Sequence, residues 1–502
     1  MWLEGFICAL SAYNLLCLLA GTLVGLIVGA LPGLGPLFGV SLALPFTVGM
    51  PPESAIILLS AIHAATAYGD SIASILVRVP GSAATVAACW DGYPMTQQGR
   101  GAVALAMSAL GSLFGGLAGW IALVVISGPL VRLALKMHSA EYFMVALVAL
   151  SLLAVAGSGN MAKGLLMGFL GLLLSTVGQD LFTGGFRFTL GSPYLESGIP
   201  MVPAVLGLFA ISQALVLAEE GGTIAKVERV SGGALAAVRE TVRHWATVIR
   251  GALVGVVMGI LPALGLSSAN VVAYLIEKRV SRDPESFGRG NPAGVLAPET
   301  AKSACVIGDL IPTVTLGIPG SPTTAIFMAA LILHGLRPGP DFFQGKFPYV
   351  VFAGILMAQF AFFIIGLLCA RYLARIVLLP NAYMVPTIIA LSLIGAYAAN
   401  YSVYDMWVAL AFGVLGYVMQ KYGFPSACLV LGFVLGNIAE TNFVRALMVN
   451  GSYVVFVTRP ISLALLLIAV VSFLSPWVSS LRQRSDRSKS GEGVGKASQN
   501  HA

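Results

Sequence analysis

Gly25-Leu-Ile-Val-Gly29-Ala-Leu-Pro32-Gly-Leu-Gly35-Pro36 interrupts a long apolar segment near the start of the chain. A second copy of the pattern, Gly255-Val-Val-Met-Gly259-Ile-Leu-Pro262-Ala-Leu-Gly265, follows 230 residues later. Proline removes a backbone donor and glycine tolerates unusual backbone dihedrals, so both copies should end one helix and begin another. A break that recurs at this distance indicates a duplicated unit.

Other segments repeat in the same order. Gly69-Asp70 and Pro80-Gly-Ser-Ala-Ala-Thr85 match Gly308-Asp309 and Pro319-Gly-Ser-Pro-Thr-Thr324 at a shift of 239. Matches outside the breaks are Arg132 and Lys136 with Arg371 and Arg375 at that same shift, and Ala149-Leu-Ser151 with Ala390-Leu-Ser392 at 241. Chance does not give several matches in one order at nearly constant spacing, so the sequence predicts two homologous repeats.

The predicted organisation has five segments. They are an N-terminal repeat over 1–218, a charged linker over 219–244, a C-terminal repeat over 245–450, an extra transmembrane helix over 451–481 and a disordered tail over 482–502. The tail is rich in Ser, Arg, Lys and Gly, a composition that cannot build a core. The first apolar run has no basic residue before it, so we interpret it as a retained helix.

The composition is that of an integral membrane protein. Of the 502 residues, 58% are hydrophobic and 10% are charged, whereas a soluble domain carries about a quarter charged residues. The length allows on the order of ten spans of about 20 residues. The net charge of +7 is dispersed in loops and the tail, which indicates membrane orientation rather than nucleic-acid binding. The six cysteines lie singly, so disulfides and structural zinc are not expected.

Two regions, 32–95 and 262–335, differ from ordinary spans because Pro, Gly, Ser, Thr and Asp interrupt them every few residues. Broken backbone at membrane depth must be buried in protein or line a cavity. We therefore expect an all-α polytopic membrane protein with broken helices or re-entrant hairpins in both repeats. Within these regions, Asp91-Gly-Tyr-Pro94 is interpreted as a turn, and the polar segment 281–299 as a solvated loop.

Paired broken helices are the sequence indication of a secondary transporter's substrate site. The first N–H groups of a half-helix have no intrahelical partner and suit a carboxylate or phosphate. The predicted substrate-binding residues are Gly33, Leu34, Gly35, Pro36, Gly81, Ser82, Thr85, Gly265, Ser267, Ser268, Gly320, Ser321, Thr323 and Thr324. A plain turn at 32–36 is the alternative. The two GxxxG patterns at 25–29 and 255–259 are interpreted as close helix packing, with ligand contact as the alternative.

Four ionisable residues are predicted to handle the coupling ion or proton. Asp70 and Asp309 occupy equivalent places, and His63 and Lys302 align at the same shift of 239. Carboxylates inside a membrane are costly and usually functional, although each Asp could instead cap a half-helix or lie at the membrane interface. Arg78 could meet a substrate carboxylate or anchor its helix at the interface.

Enzymatic functions have little support in the sequence. No GxxxxGK[ST], HExxH or GxSxG motif occurs, which argues against an ATPase, a zinc protease or a serine hydrolase. A passive channel or a membrane scaffold remains an alternative. So does an intramembrane aspartyl protease using Asp70 and Asp309, although neither has the usual Gly-x-Gly-Asp context.

These residues together resemble the large membrane subunit of the tripartite tricarboxylate transporters. The resemblance covers about residues 10–470, and it rests on the motifs Gly21 to Pro36, Asp91 to Pro94, Arg187 to Gly191, Ala297 to Glu299, Leu316 to Ser321 and Gly335 to Pro340. It implies a multi-pass carrier in a bacterial inner membrane that imports small carboxylates. A gradient of Na⁺ or H⁺ would drive it, with no other cofactor or metal. The implied partners are a small four-helix membrane subunit and a periplasmic substrate-binding protein, besides the organic anion and membrane lipid.

This sequence departs from the family pattern at its breaks. Asp70 and Asp309 stand where a second glycine is usual, and Ala263 and Leu266 replace a glycine and a small or polar residue. An Asn pair is usual near Lys302-Ser303. The identity of the carboxylate therefore does not follow from the resemblance.

The orientation of the repeats is a separate prediction. We expect them to be inverted, with an odd number of crossings in each and with the linker and tail inside. A count of positive residues opposes this, because Arg132 and Lys136 occupy the loop equivalent to that of Arg371 and Arg375. Both pairs inside would indicate parallel repeats. Inversion requires that these residues lie on interfacial connecting helices.

Overall fold

A computed structural model describes residues 2–31, 34–80, 82–156, 161–220, 233–261, 265–376 and 381–473. Gly33, Gly81 and the tail 482–502 lie outside the described residues, as does much of the linker.

The first half begins with a short helix and continues through long apolar ones. Its helices are α1 (Trp2–Ala9), α2 (Ala12–Ala30), α3 (Pro36–Ala43), α4 (Pro52–Val77), α5 (Val86–Gln97), α6 (Gly101–Ala134), α7 (Ser139–Ala156), α8 (Met161–Ser175), α9 (Pro193–Glu196), α10 (Met201–Val205) and α11 (Ser212–Glu220), with 3₁₀ turns at Leu44–Thr47 and Ala83–Thr85 and a π-helical segment at Leu206–Ile211. Strands β1 (Gly178–Gln179) and β2 (Phe186–Arg187) form an antiparallel hairpin that pairs Gly178 with Arg187.

Among the described residues, the second half consists of helices and 3₁₀ turns. Its helices are α12 (Ala234–Arg243), α13 (Trp245–Ile260), α14 (Gly265–Val280), α15 (Pro292–Gly308), α16 (Leu310–Leu316), α17 (Pro322–Leu333), α18 (Phe347–Ile376), α19 (Asn381–Asn400), α20 (Val403–Lys421), α21 (Ser426–Asn450), α22 (Val455–Thr458) and α23 (Pro460–Phe473), with 3₁₀ turns at Pro284–Ser286 and Pro340–Gln344. Helix α12 lies inside the segment predicted as a charged linker.

The predicted all-α, polytopic class is confirmed. Within the described ranges, eight helices are long and apolar enough to cross a membrane. Helix α4 differs from the others because almost its whole length is buried inside the protein. Its buried side chains include His63, Asp70 and several hydroxyls, so it is a central span rather than a lipid-facing one.

The duplication is visible in matching helix contacts. Helix α2 packs on α4 with Gly21, Gly25 and Gly29 against the backbone of Leu58, Ile62 and Thr66. Helix α13 packs on α15 with Gly251, Gly255 and Gly259 against Ala297, Ala301 and Cys305. Each contact in the second pair is the sequence equivalent of one in the first. The packing interpretation of both GxxxG patterns is confirmed.

The two halves exchange contacts across their centre. Along α4, residues 63 to 71 meet residues that fall from 309 to 299 on the other half, so α4 and α15 run antiparallel. Helices α6 and α18 also cross in opposite directions: Gly116 meets Gln359, while the Trp120 indole donates to the Phe352 carbonyl.

The outer helices are exchanged as well. Gly171 of α8 packs against the backbone of Leu429 in α21, and Gly207, in the π-helical segment after α10, packs against Ala409 of α20. The last long span of each half is therefore completed by a helix of the other half.

The breaks after α4 and α16 use the same local chemistry. Arg78 at φ 60° and Gly317 at φ 68° hold equivalent left-handed positions at the helix ends. Arginine accepts strain there that glycine avoids. Ser82 and Ser321 then start the next helical segments as capping boxes, with Thr85 and Thr324 as the reciprocal partners.

Two local predictions were wrong. Asp91-Gly-Tyr-Pro94 is not a turn but part of α5, with Asp91 fully buried. The segment 281–299 is a loop only at its start, because α15 begins at Pro292 and Glu299 is fully buried. The acidic residues of these segments suggested a turn and a solvated loop, whereas the Asp91 and Glu299 side chains are paired inside the protein.

Candidate functional site

The first-repeat break brings three elements together at Asp70. The carboxylate lies on α4 with no exposed surface, and its Oδ2 accepts a hydrogen bond from the Ser82 hydroxyl at 2.5 Å. Gly35, at the N-cap of α3, approaches so closely that an added Cβ would lie 2.9 Å from the Ser82 Cβ. Hence the hairpin formed by α2 and α3, the buried Asp and the start of the next half-helix meet at one point.

Further polar side chains hydrogen-bond to the elements of this break. The Ser74 hydroxyl donates to the Thr85 hydroxyl at 2.8 Å and lies 3.2 Å from the Asp70 carbonyl. The Asn270 side chain of α14 accepts from the N–H of Ala87 at 3.0 Å. Thr85 is thus a structural member of the break, and α14 of the second repeat reaches into the first.

The second-repeat break has an equivalent capping serine but different side-chain contacts, and the helix is interrupted at Asp309, between α15 and α16. Asp309 is almost completely buried, and neither carboxylate oxygen accepts a hydrogen bond from a described residue. The nearest basic group is His63, with Nε2 at 3.7 Å from Oδ1 and at 2.9 Å from the Val306 carbonyl. Gly320 packs on the Asp309 backbone, just before the Ser321 cap. A buried carboxylate in this position requires a proton or a cation.

Lys302 does not pair with an aspartate. Its ammonium lies 3.2 and 3.0 Å from the two Glu299 oxygens and also donates to the Ser71 hydroxyl. Ser71 and Ser108 each donate to Glu299 Oε2 at 2.6 Å. We call these four residues the Lys302 cage. Both its charged side chains are at most 1% exposed.

The two aspartates do not form a catalytic dyad. Asp309 lies beside His63, and His63 precedes Asp70 by seven residues on α4, which is about 10 Å along a helix. Two carboxylates that share a proton must be in direct contact. This arrangement argues against an aspartyl protease.

The remaining predicted substrate-binding residues are distributed around the breaks. Leu34, Thr323 and Thr324 are buried, and Pro36 is the first residue of α3. Gly265 begins α14 at φ 68°, with Ser268 half-buried in its first turn. The side chain of Ser267 lies outside the described part of the structure, as do Gly33 and Gly81.

Comparison with known proteins identifies the family. The model of the "Tripartite tricarboxylate transporter TctA family" matches residues 15–431. The chain belongs to the TctA family. It is also 35% identical over 488 residues to an Agrobacterium vitis protein described as the uncharacterized 52.8 kDa protein in the TAR-I ttuC′ 3′ region, covering 96% of this chain and 97% of that protein.

A second Agrobacterium vitis protein, described as an uncharacterized protein in the TAR-II ttuC′ 3′ region, is 34% identical over 236 residues. That match covers 46% of this chain and 98% of the relative. As a TctA-family member with eight candidate spans, the chain is a multi-pass membrane component of a transporter.

Sequence reasoning about this TctA-family chain missed two buried acids as members of polar networks. Asp91 accepts hydrogen bonds at Oδ1 from the N–H groups of Gly288, Gly290 and Asn291, and at Oδ2 from the Tyr274 hydroxyl. Glu299 accepts the hydrogen bonds of Lys302, Ser71 and Ser108 in the Lys302 cage. Both acids stand in largely apolar sequence, a signal that could have identified them as buried charges.

A cavity of about 610 Å³ lies away from the breaks, between the β1–β2 hairpin, α17 and α21. Arg187 in its wall donates to Glu440 at 2.6 Å and ties the hairpin to α21. The other charged residues in the wall, Asp180 and Glu196, are acidic. This lining does not suit a free organic anion.

Proposed function

We propose that this chain is the large transmembrane subunit of a binding-protein-dependent secondary transporter that imports small carboxylates, of the tricarboxylate or dicarboxylate class. The observation that carries the proposal is the pair of capped half-helix starts at Ser82 and Ser321, each beside a buried aspartate. Half-helix N-termini inside the protein suit an anion. The aspartates suit a coupling cation or proton, because burial of an unpaired charge is costly.

The proposal includes inverted repeats in the inner membrane. Two features support inversion: the antiparallel crossing of α4 with its equivalent α15, and that of α6 with α18. Helix α12 packs near the start of α6, where Gly233 meets Val103. Basic residues are concentrated near this end, namely Arg78, Arg100, Arg239, Arg243, Arg250, Lys278, Arg279, Arg282 and Arg289. We place this end in the cytoplasm.

Reporter fusions test the orientation directly. A reporter inserted after Lys136 should lie on the opposite membrane face from one inserted after Arg375. A fusion in the linker should share the face of the Arg375 fusion. Reporters after Lys136 and Arg375 that lie on one face would refute inversion.

Uptake measurements test the transport function. The chain would be co-expressed with the small membrane subunit and the binding protein expected in neighbouring reading frames. We expect uptake of labelled citrate or a C4 dicarboxylate that requires all three proteins and collapses with a sodium ionophore or a protonophore. Flux that continues down the substrate gradient after both ionophores would instead indicate a channel.

A further inference from the structure

We propose that Lys302 is a resident cation, whose ammonium fills a monovalent-cation site formed by oxygens of Ser71 and Glu299, supported by Ser108. The consequence of this site for ion coupling rests on the proposed transport function. It predicts that this site exchanges no ion during transport.

The contacts of the ammonium resemble a coordination shell. The three donors of a lysine ammonium meet three oxygens, namely Ser71 Oγ, Glu299 Oε1 and Glu299 Oε2. Ser108 contributes a further hydroxyl by donating to Glu299. Lysine carries a compact point charge, and hard monovalent cations also prefer carboxylate and hydroxyl oxygens.

The position of the cage connects three helices. Ser71 lies on α4, Ser108 on α6, and Glu299 with Lys302 on α15. Ser71 directly follows Asp70, and Lys302 acts electrostatically on Asp70. A cation held here therefore fixes α4 to α15 at the point where the two halves exchange contacts.

The other half lacks the corresponding cage. At the shift of 239, Glu299 corresponds to Ser60, Ser71 to Leu310, and Lys302 to His63. The Ser60 hydroxyl has no hydrogen-bond partner among the described residues. The cage is an addition to one half of a duplicated scaffold, so the symmetry of the packing does not require it.

Sodium binding to the purified full-length chain in nanodiscs tests the inference without a substrate. Thermal unfolding would be compared in NaCl and in choline chloride at equal ionic strength. Lys302→Ala vacates the space of the ammonium and leaves Glu299 unneutralised. We expect its apparent Tm in choline chloride to fall by roughly 10 °C, and saturable addition of NaCl to recover most of the loss.

Matched variants separate cation binding from general damage. Lys302→Met fills the space with an apolar chain, and the double variant Glu299→Gln/Lys302→Ala removes both charges. Neither variant should show a larger rise of Tm in NaCl than the wild type. The wild-type response is the baseline, because it includes any sodium bound at Asp70 or Asp309. Lys302→Ser, whose small side chain also leaves the space of the ammonium open, is the second probe if Lys302→Ala does not fold.

A folded Lys302→Ala or Lys302→Ser protein with the sodium response of the wild type would overturn the inference. So would an equal gain in the double variant. Failure of the proposed transport function would appear elsewhere, as wild-type protein that takes up no carboxylate, and the unfolding experiment would still report on the cage.

Discussion

The breaks at Asp70 and Asp309 share a left-handed helix end and a serine capping box, and they differ in their electrostatics. Both aspartates are buried, Asp70 within α4 and Asp309 directly after α15. Asp70 accepts a hydrogen bond from Ser82 and lies next to the Lys302 cage, whereas Asp309 accepts none among the described residues. Duplication preserved the packing and the caps while charge compensation diverged. We therefore predict that the Asp309 side, rather than the Asp70 side, takes up an exchangeable proton or cation.

The largest expected effect concerns the packing that the repeats share. An added Cβ would lie 2.2 Å from the Ala301 carbonyl oxygen at Gly255, and 2.8 Å from the Ile62 carbonyl oxygen at Gly25. Gly255→Ala should therefore lose more folded protein than Gly25→Ala, with a cost of about 3 kcal/mol or more. Size-exclusion profiles and thermal unfolding measure this. Gly128→Ala is the control, because an added Cβ there meets nothing within 4 Å.

Replacement of each aspartate by asparagine should affect the two breaks differently. Asp309→Asn removes a buried charge without a hydrogen bond, so stability should hold while uptake falls at least about tenfold, or its ion dependence changes. Asp70→Asn should lose about 1.5–3 kcal/mol of stability as the bond from Ser82 loses its charged acceptor. Asp341→Asn, at an exposed carboxylate, is the control. Wild-type uptake and ion coupling in both Asn variants would favour a capping role.

Removal of the serine caps should destabilise the protein unequally at the two breaks, by less than the aspartate substitutions change uptake. Ser321→Ala loses one N-cap hydrogen bond, worth about 1 kcal/mol. Ser82→Ala loses its cap and also the donor to Asp70, so it should cost about 1–2 kcal/mol more. Thermal unfolding of both variants measures the difference, and equal losses would contradict the unequal role assigned to Ser82.

The weakest expected effect is a pH dependence of the β1–β2 hairpin, which belongs to the first repeat. The first repeat carries the β1–β2 hairpin before α10, where the second repeat joins α20 to α21 by residues 422–425 alone. Hydrogen bonds from the Phe182 N–H and the Thr183 hydroxyl lower the pKa of Asp180. Its contribution to hairpin order is thus present above its unfolded pKa of about 4, and is lost as pH falls through the lower folded pKa.

Hydrogen exchange across residues 178–187 should detect this loss. Protection should fall slightly on acidification in the wild type. In Asp180→Asn it should be nearly independent of pH. An identical acid response in both proteins would assign the change to another group.

The sequence predicted the duplicated architecture because its signals are local. Proline, glycine and small hydroxyl residues at fixed spacing identified the breaks, and glycine periodicity identified the close helix pairs. The partners of the charged residues could not be predicted in the same way. Lys302 was predicted to handle the coupling ion or proton, yet it pairs with Glu299 three residues earlier on its own helix. Asp91 binds backbone groups nearly 200 residues away, a contact that depends on tertiary packing.

The exchanged outer helices have a consequence for biosynthesis. Helix α8 packs against α21, and the π-helical segment after α10 packs against α20, so neither surface is covered until the ribosome has made most of the second half. The first half must wait in the bilayer with glycine-lined grooves facing lipid or an insertion factor. The protein therefore completes its assembly late, and a chain truncated before α20 would be a substrate for membrane quality control.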